Sequence, residues 1–469
     1  MNEKYKYLIK NTGVLTICNF ASKILVFLLV PLYTEVLTTT EYGIYDLVVS
    51  SVSILLPILT WNILDAVVRY EMDADCEKKN VIVIGLHYII VSGIIVLGGI
   101  VFIKFSGIIP SLRGLEWYVF AYYVAYILQQ FFLQVARGME KIKCLGIAGV
   151  LNTAVLVGCN IYFLLFVKNG LNGLFLSTII SCLVPTVYIA ISVRIWDWLI
   201  NIKFDKSLKK EMVGYSFPLV FSTISWWINS ASDRYVVTWL CGIAQNGILS
   251  VAYKIPSIIN TLFGMFGQAW QISAVKEFKS DSSKEFYGNV ISYMNTITIV
   301  ACCFLIAFSK ILGKILYAKE FFVAWELAPF LIVSTVFNCA SGILGPILSA
   351  IKDTGAMAKA AICGASVNVV LNVCLVYIMG PQGATIATVI SSAVIYFMRK
   401  KAVDKVIQLK HDYGLLISVF LLVLESLCVI YIGNIWITVL LVFLILTTNY
   451  KTIKKVCLIF IQKFLRSES

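Results

Sequence analysis

The sequence predicts an all-α polytopic membrane protein, and three observations support this fold class. Hydrophobic residues make up 60% of the 469 residues, whereas charged residues make up only 13%, against about 25% in soluble domains. The hydrophobic residues fall in runs of about 20, the length that a helix needs to cross a bilayer. The lysines and arginines responsible for the net charge of +13 lie in short gaps between these runs, which argues against a nucleic-acid-binding face.

Fourteen segments have the length and composition of a membrane-spanning helix. They are 12–37, 43–68, 81–103, 115–136, 144–167, 171–193, 213–240, 247–275, 290–311, 325–351, 356–379, 383–398, 413–432 and 435–450. The basic N-terminal stretch precedes the first of them, which is longer than a signal-peptide core and therefore predicts a retained span. An even number of spans places both termini on one side of the membrane.

The distribution of basic residues indicates which side that is. With both termini inside, 29 of the 38 lysines and arginines lie in or beside inner segments, six lie in outer loops and three lie within spans. Inner loops of membrane proteins carry such an excess. We therefore predict cytoplasmic termini.

An internal repeat predicts how the spans are grouped. Residues 170–184 read "GLNGLFLSTIISCLV" and residues 380–394 read "GPQGATIATVISSAV", with six identities in fifteen positions. The alternative is a chance match between apolar segments. The offset of 210 residues corresponds to six spans, so the two copies have the same orientation. This predicts an N-lobe (1–200, helices 1–6) and a C-lobe (201–410, helices 7–12), related by a pseudo-twofold along the membrane normal.

The remaining residues, 411–469, are predicted to form helices 13 and 14 and a basic amphipathic tail that lies on the inner leaflet. The thirteen cysteines are scattered through apolar segments and predict neither a disulfide framework nor a metal site. No nucleotide-binding motif is present, and the two histidines have no plausible metal partners. We expect no cofactor.

Charged residues within spans are the first candidates for a functional site, because charge in a bilayer is costly. Asp233 and Arg234 lie in the seventh span, at about the same depth as Lys254 in the eighth. We predict that Asp233 pairs with Lys254 and leaves Arg234 as a surplus cation. Together with Lys23 in the first span, these cations predict a pathway for an anionic substrate. The alternative is that they form ion pairs that join helices.

Uncharged polar and aromatic residues within spans are further candidates, because amides and indoles suit sugar hydroxyls and pyranose faces. Interhelical packing is the alternative role for each of them. The candidates for sugar contact are Asn152, Asn368, Trp226, Trp270 and Gln271.

Four segments resemble one transporter family. The segment "NFASKILVFLLVPLYTEVLTTTEYGIYDL" (19–47) is similar to the first two helices of bacterial polysaccharide-unit flippases. These flippases belong to the multidrug/oligosaccharidyl-lipid/polysaccharide exporter superfamily. The segments "WINSASDRYVV" (227–237), "GILSVAYKIP" (247–256) and "FGQAWQISAVKEF" (266–278) resemble helices 7 and 8 of the same family. The resemblance covers almost the whole chain.

The resemblance implies a fourteen-helix transporter of two lobes in the bacterial cytoplasmic membrane, and not an enzyme. Such a protein moves an undecaprenyl-pyrophosphate-linked oligosaccharide from the inner to the outer leaflet by alternating access. The product is capsule, O-antigen or exopolysaccharide. The implied partners are the lipid-linked oligosaccharide and membrane lipids, with a polysaccharide polymerase and a chain-length regulator as further expected partners, and no nucleic acid.

The resemblance also implies roles for the charged residues. Lys23, Arg234 and Lys254 would handle pyrophosphate and acidic sugars. The sequence leaves open whether an ion drives transport, and Asp233 and Asp46 are the candidate carboxylates for ion coupling or ion pairing. Three alternatives remain: a drug or metabolite antiporter of the same superfamily, a flippase for the lipid-linked cell-wall precursor, and a polymerase or ligase. An antiporter for cations would favour carboxylates, and a polymerase or ligase would be expected to have a long outer loop.

Overall fold

The computed structural model describes residues 22–73, 76–199, 205–278, 283–408 and 413–467. These residues are almost entirely helical, and none of them forms a strand. The predicted all-α polytopic class is confirmed, and the chain is a multi-pass membrane protein. The helices divide into two compact units, Met1–Trp227 and Ile228–Ser469.

The first unit contains eight complete helices of the described chain and the start of a ninth. They are α1 (Val30–Val36), α2 (Thr39–Leu59), α3 (Ile63–Glu71), α4 (Lys78–Ser106), α5 (Glu116–Gly138), α6 (Ile142–Asn160), α7 (Gly170–Ser192), α8 (Ile195–Leu199) and α9 (Lys206–Cys241). The boundary between the units lies within α9. Asp233 and Arg234 belong to its second part.

The second unit continues from the end of α9. Its helices in the described residues are α10 (Ile243–Ala252), α11 (Lys254–Glu277), α12 (Ser283–Ala307), α13 (Ser309–Leu316), α14 (Ala324–Ile351), α15 (Thr354–Met379), α16 (Pro381–Ile407), α17 (Tyr413–Leu427), α18 (Ile435–Thr448) and α19 (Tyr450–Ser467). The last two are bent by 66° at their junction. The position of α19 on the inner leaflet stays a prediction, as do the predicted lobe boundaries and the pseudo-twofold.

Helix α2 begins and ends at local signals in the sequence. The hydroxyl of Thr38 accepts a hydrogen bond from the backbone N–H of Glu41, and the Glu41 carboxylate accepts one from the backbone N–H of Thr38. This reciprocal cap satisfies two N–H groups that the first helical turn would leave without partners. Trp61 and Asn62 adopt positive φ angles of 52° and 53°, which separate α2 from α3. The predicted span 43–68 is therefore two helices.

Ten helices of the described residues are long and apolar enough to cross a membrane, or up to twelve if each of two bent pairs forms one span. The count of fourteen is not established. Two of the predicted spans account for the difference between fourteen and twelve. The first, 12–37, lies partly outside the described residues. The second is the predicted span 213–240 in α9, which is absent from the ten because polar residues lower its hydropathy.

Helices α15 and α16 are held close together at two glycines. A Cβ atom at Gly383 would lie 2.2 Å from the backbone of Leu375, and one at Gly364 would lie 2.2 Å from Ile395. A side chain at either position would force the helices apart. These close approaches fix the polar face of α15 against that of α16, where the candidate site lies.

In the first unit, two helices also approach closely, and there they surround a carboxyl group. Glu71 ends α3 beyond the membrane-spanning segment and is only 1% exposed. Among the described residues, neither of its carboxyl oxygens has a hydrogen-bond partner. A Cβ atom at Gly138 of α5 would lie 2.2 Å from one of these oxygens, so only glycine leaves room for the carboxyl. Burial raises the pKa of Glu71 to about 8, although the positive charge of Lys78 acts in the opposite direction.

We expect Glu71→Gln to stabilise the protein at pH 8 and to change little at pH 4.5. A raised folded-state pKa stabilises the fold when the carboxyl is protonated, and this stability is lost as the pH rises through about 8. Glutamine is uncharged at every pH. The gain in unfolding free energy from Glu71→Gln should therefore grow as the pH rises from 4.5 to about 8, by about 1.4 kcal/mol for each unit of pKa shift. Thermal unfolding in detergent at several pH values measures it. Glu77→Gln, at an exposed position, is the control. An unfolding difference that does not vary with pH would contradict the assignment.

Candidate functional site

The carboxylate of Asp233 lies at the centre of a buried polar cluster in the second unit. Asp233 is 2% exposed, and α9 carries it. Its Oδ2 accepts hydrogen bonds from the hydroxyl of Tyr253, at the junction of α10 and α11, and from that of Thr388 on α16, the latter at 2.7 Å. Its Oδ1 accepts one from the amide of Asn372 on α15 at 2.8 Å. Four segments of the chain thus meet at one carboxylate.

A second layer of hydrogen bonds positions these donors. The Asn372 amide also donates to Oδ1 of Asn368 at 2.9 Å, and the hydroxyl of Ser232 donates to the same oxygen at 2.7 Å. The Asn368 amide donates to the hydroxyl of Ser391 at 3.2 Å. Because Asn368 and Asn372 are four residues apart, they occupy one face of α15. The network leaves Asn368 engaged with protein groups on both its oxygen and its nitrogen.

The partners of Asp233 differ from the predicted one. Among the residues that the structure describes, the donors to its carboxylate are Tyr253, Asn372 and Thr388, where the sequence predicted the ammonium of Lys254. Equal depth in the sequence prediction does not fix the direction in which a helix presents a side chain. Tyr253, one residue earlier, presents its hydroxyl to Asp233 instead.

Arg234 lies next to this cluster and contacts one of its members. Its guanidinium carbon is 5.6 Å from the centre of the Tyr253 ring, within the range of a cation–π interaction. Its Nη1 also donates to the backbone oxygen of Ser230 at 3.3 Å. Arg234 and Lys254 are both half-buried. Tyr253 therefore contacts the carboxylate of Asp233 with its hydroxyl and the cation of Arg234 with its ring.

In the Asp233 cluster, the groups that donate hydrogen bonds to the carboxylate are all uncharged. Burying a carboxylate is costly unless hydrogen bonds or a counter-charge compensate it. Here, three neutral donors supply the hydrogen bonds, and none of them removes the charge. A proton or a monovalent cation can do so, and the side-chain oxygens of Asp233, Asn372 and Thr388 are suitable ligands for a hard cation.

The described residues of the first unit include a related cluster, in which a tyrosine hydroxyl takes the place of the carboxylate. The hydroxyls of Tyr45 and Thr178 are 3.0 Å apart, and the Asn160 amide donates to the hydroxyl of Tyr33 at 3.1 Å. Thr178 is the repeat counterpart of Thr388. The same position in the repeat therefore meets a tyrosine hydroxyl in the first unit and the Asp233 carboxylate in the second.

The other candidates of the first unit have varied environments. Lys23 and Trp226 are exposed, and Asp46 is half-buried. The amide of Asn152 donates to the backbone oxygen of Ser181 at 2.7 Å, which is a contact between α6 and α7. Convergence of Lys23 with the cations of the second unit stays a prediction.

Two candidates for sugar contact lie on α11. Trp270 is 3% exposed, and its indole N–H donates to the backbone oxygen of Ile343 at 2.8 Å. Its ring packs against Phe266 and Tyr287. Gln271, the next residue, is exposed. Trp270 therefore packs inside the protein, whereas Gln271 is accessible. Sugar contact by either residue stays a prediction.

The three donors to Asp233 were not among the site residues that the sequence predicted. Two signals pointed to them. Thr388 is one of the six identities of the repeat, and Asn372 is one of the asparagines that precede its second copy. Tyr253 had no such signal, because a tyrosine within an apolar helix is ordinarily a packing residue.

Comparisons with known proteins agree in the class of protein that they find. A family model for polysaccharide biosynthesis proteins matches residues 8–271, more than half of the chain. A relative described as a probable low-salt glycan biosynthesis flippase, Agl15 of Haloferax volcanii, is 25% identical over 225 residues. That alignment covers 45% of this chain and 47% of the relative. The chain thus matches about half the length of this curated relative.

Solved structures of transporters have a similar fold. A structure of the lipid II flippase MurJ in an inward closed conformation matches with a TM-score of 0.68 and 15% identity, over 95% of this chain and 99% of the other. An inward-facing multidrug resistance transporter of the MATE family, in the MOP superfamily, matches with a TM-score of 0.63 and 16% identity. That match covers 83% of this chain and 95% of the other. At these identities the likeness concerns the fold.

Proposed function

This chain belongs to the polysaccharide biosynthesis protein family, and from that premise we propose that it is a flippase for a lipid-linked oligosaccharide. The cargo is an oligosaccharide repeat unit on undecaprenyl pyrophosphate, carried from the inner to the outer leaflet by alternating access. The polymer made from it is capsule, O-antigen or exopolysaccharide. The relation to a glycan flippase supports the cargo class.

One observation carries the proposal furthest: Arg234 is a half-buried cation beside a carboxylate that neutral donors already hold. A guanidinium presents planar N–H groups that match two phosphate oxygens. The guanidinium of Arg234 lies over the ring of Tyr253, next to the Asp233 cluster, and in this proposal it also contacts an anionic head group. We assign Arg234 and Lys254 to the pyrophosphate, with Lys23 as a further cation.

Ion coupling belongs to the Asp233 cluster in this proposal. A proton on the carboxylate, or a sodium ion among the oxygens of Asp233, Asn372 and Thr388, would neutralise a charge that is otherwise buried. Asp46, which is half-buried on α2, is the second carboxylate to test. An outward-moving pyrophosphate group is also favoured by an inside-negative potential, by about 2.3 kcal/mol per charge per 100 mV.

We place the protein in a bacterial cytoplasmic membrane with both termini in the cytoplasm. The excess of lysines and arginines in the segments between alternate spans supports this orientation. An impermeant thiol reagent applied to whole cells distinguishes this orientation from the opposite one. The reagent should label Thr40→Cys but not Lys210→Cys. Interaction with a polysaccharide polymerase and a chain-length regulator is part of the proposal.

A second candidate, a flippase for the lipid-linked cell-wall precursor, is favoured by one observation. The structural match to MurJ extends over 95% of this chain. The same cations would serve that cargo, because it also carries a pyrophosphate. The match to a multidrug transporter supports an antiporter in the same way, by fold.

Transport assays with reconstituted protein discriminate between these functions. Proteoliposomes would receive a fluorescent undecaprenyl-pyrophosphate oligosaccharide, fluorescent lipid II or an organic cation, and a reagent that destroys only outer-leaflet fluorescence would report translocation. We expect translocation of the oligosaccharide lipid and little of the other two. Faster movement of lipid II would favour the second candidate, and uptake of the cation alone would overturn the proposal.

A further inference from the structure

An open cleft of about 610 Å³ lies between the last turns of α16 and the first turn of α17. Among the residues that the structure describes, its charged lining consists of Lys400, Lys401 and Lys405 with one carboxylate, Asp404, which together give a formal charge of +2. We call it the lysine cleft. It is separate in sequence from the Asp233 cluster, which uses earlier turns of α16.

Compensation of the helix dipole is the ordinary role of lysines at the C-terminal end of a helix, and Lys405 in the last turn of α16 can serve it. That role does not explain the apolar part of the lining. Phe397, Tyr413 and Leu416 form this part and are 45%, 66% and 43% exposed. Exposed apolar side chains are ordinary on a spanning helix, but here three of them line the same cleft as three lysines.

The apolar surface continues away from the lysines along α17. Phe420 is 63% exposed and lies four residues after Leu416, which lies three residues after Tyr413. This spacing places the three side chains on one helical face. The lysine cleft thus has a cationic end and an apolar track that begins beside it.

The position of the cleft at helix ends is where a bilayer would change from head groups to hydrocarbon. It is formed by the ends of two helices that are long and apolar enough to span a membrane. Its lysines belong to a segment that the charge bias places on the cytoplasmic side, and anionic lipids in that leaflet attract such clusters. Basic pockets between spanning helices on this side bind lipid head groups.

One polar atom in the cleft adds a specific requirement. Oδ1 of Asp404 is buried and has no hydrogen-bond partner among the described residues. A buried carboxylate oxygen requires a donor. An anion without an O–H group, such as sulfate, would leave it without one, whereas a head group that carries hydroxyls as well as a phosphate can supply it.

From these observations we propose that the lysine cleft binds one anionic phospholipid of the phosphatidylglycerol type. Its phosphate contacts Lys400, Lys401 and Lys405, and a hydroxyl of its head group donates to Asp404. One acyl chain follows the face of α17 that carries Phe420. Lysines suit this task because an ammonium binds phosphate as a compact point charge.

Native mass spectrometry of the full-length protein in detergent tests the proposal by titration with dioleoyl-phosphatidylglycerol. The test variant is Lys400→Gln/Lys401→Gln/Lys405→Gln. The matched control, Lys143→Gln/Lys206→Gln/Lys210→Gln, removes the same charge from exposed lysines at other helix ends on the same predicted side. We expect a weakening of the first binding event by about fivefold for each lysine removed from the cleft, and none in the control. Thermal unfolding checks that each variant is folded, and the single variant Lys401→Gln replaces the triple variant if that is unstable.

Four competitors identify what the cleft recognises. Dioleoyl-phosphatidylcholine should not displace the bound lipid, and phosphatidic acid, which lacks the head-group hydroxyls, should bind more weakly. Equal loss of binding in the test and control variants, or equal binding of phosphatidylcholine, would overturn the proposal. Displacement by inorganic phosphate at similar concentration would indicate a site for free anions, and tighter binding of farnesyl diphosphate would indicate a site for the polyprenyl cargo. Equal binding of phosphatidic acid would overturn the role of Asp404.

Discussion

Replacing Arg234 by alanine should abolish transport of the lipid-linked oligosaccharide and leave folded protein in the membrane. The guanidinium can form two charge-assisted hydrogen bonds to a phosphate, each worth about 1.5 kcal/mol or more. Since about 1.4 kcal/mol is a factor of ten, losing both should slow transport by about 100-fold or more. The fold should survive because Arg234 is half-buried, whereas the hydrogen bonds to Asp233 come from other residues.

Arg234→Lys separates charge from geometry. An ammonium keeps the positive charge but lacks the planar fork, so we expect it to restore transport only in part. Arg113→Ala is the matched control, because it removes the same side chain from an exposed position outside the spans. Rates in proteoliposomes and the amount of protein in membrane fractions are the two measurements. Normal transport by Arg234→Ala would show that this cation has a structural role in packing against Tyr253.

Much of the fold could be predicted from the sequence because a bilayer imposes simple rules. A spanning segment must be about 20 apolar residues long, and basic residues accumulate on one side. The rules are weakest where function adds polar residues. The predicted span 213–240 in α9 holds both Asp233 and Arg234, and the helix is not apolar enough to pass as a span by composition. Similarly, the break at Trp61 and Asn62 depends on local backbone conformation that hydropathy does not report.

The candidate site could be predicted only in part. Burial of Asp233 and its need for partners followed from its position in an apolar run. The identity of the partners did not, because they come from α15, α16 and the junction of α10 and α11, which are distant in sequence. Which helices face one another, and in what rotation, depends on packing such as the close approach at Gly383. The repeat was the best sequence signal, since Thr388 is one of its six identities.

Asp233→Asn should uncouple transport from its driving ion while preserving the fold. Asparagine has the shape of aspartate, and its oxygen can accept the hydrogen bond from Asn372. Its amide can donate to the hydroxyls of Tyr253 and Thr388, which accept as well as donate. All three contacts are therefore retained in a neutral form. Asp233→Ala, by contrast, removes the acceptor that these three donors share. Thr388 can still donate to the backbone oxygen of Ala384, and Asn372 to Asn368. The hydroxyl of Tyr253 and one N–H of Asn372 lose their acceptor, at about 1–3 kcal/mol each, so the amount of folded protein should fall.

The measurement is the dependence of transport on an imposed gradient. Proteoliposomes with a pH gradient, a sodium gradient or neither report which ion drives the native protein, and coupling between two sites is typically worth about 5- to 150-fold. We expect Asp233→Asn to lose this 5- to 150-fold stimulation under the gradient that drives the native protein. Its unfolding temperature should stay close to that of the native protein. Asp353→Asn is the control, because it makes the same substitution at the exposed N-cap of α15, where asparagine can still cap the helix. If Asp233→Asn retains the full response to the gradient, the carboxylate is only a structural acceptor, and Asp46→Asn becomes the variant to measure.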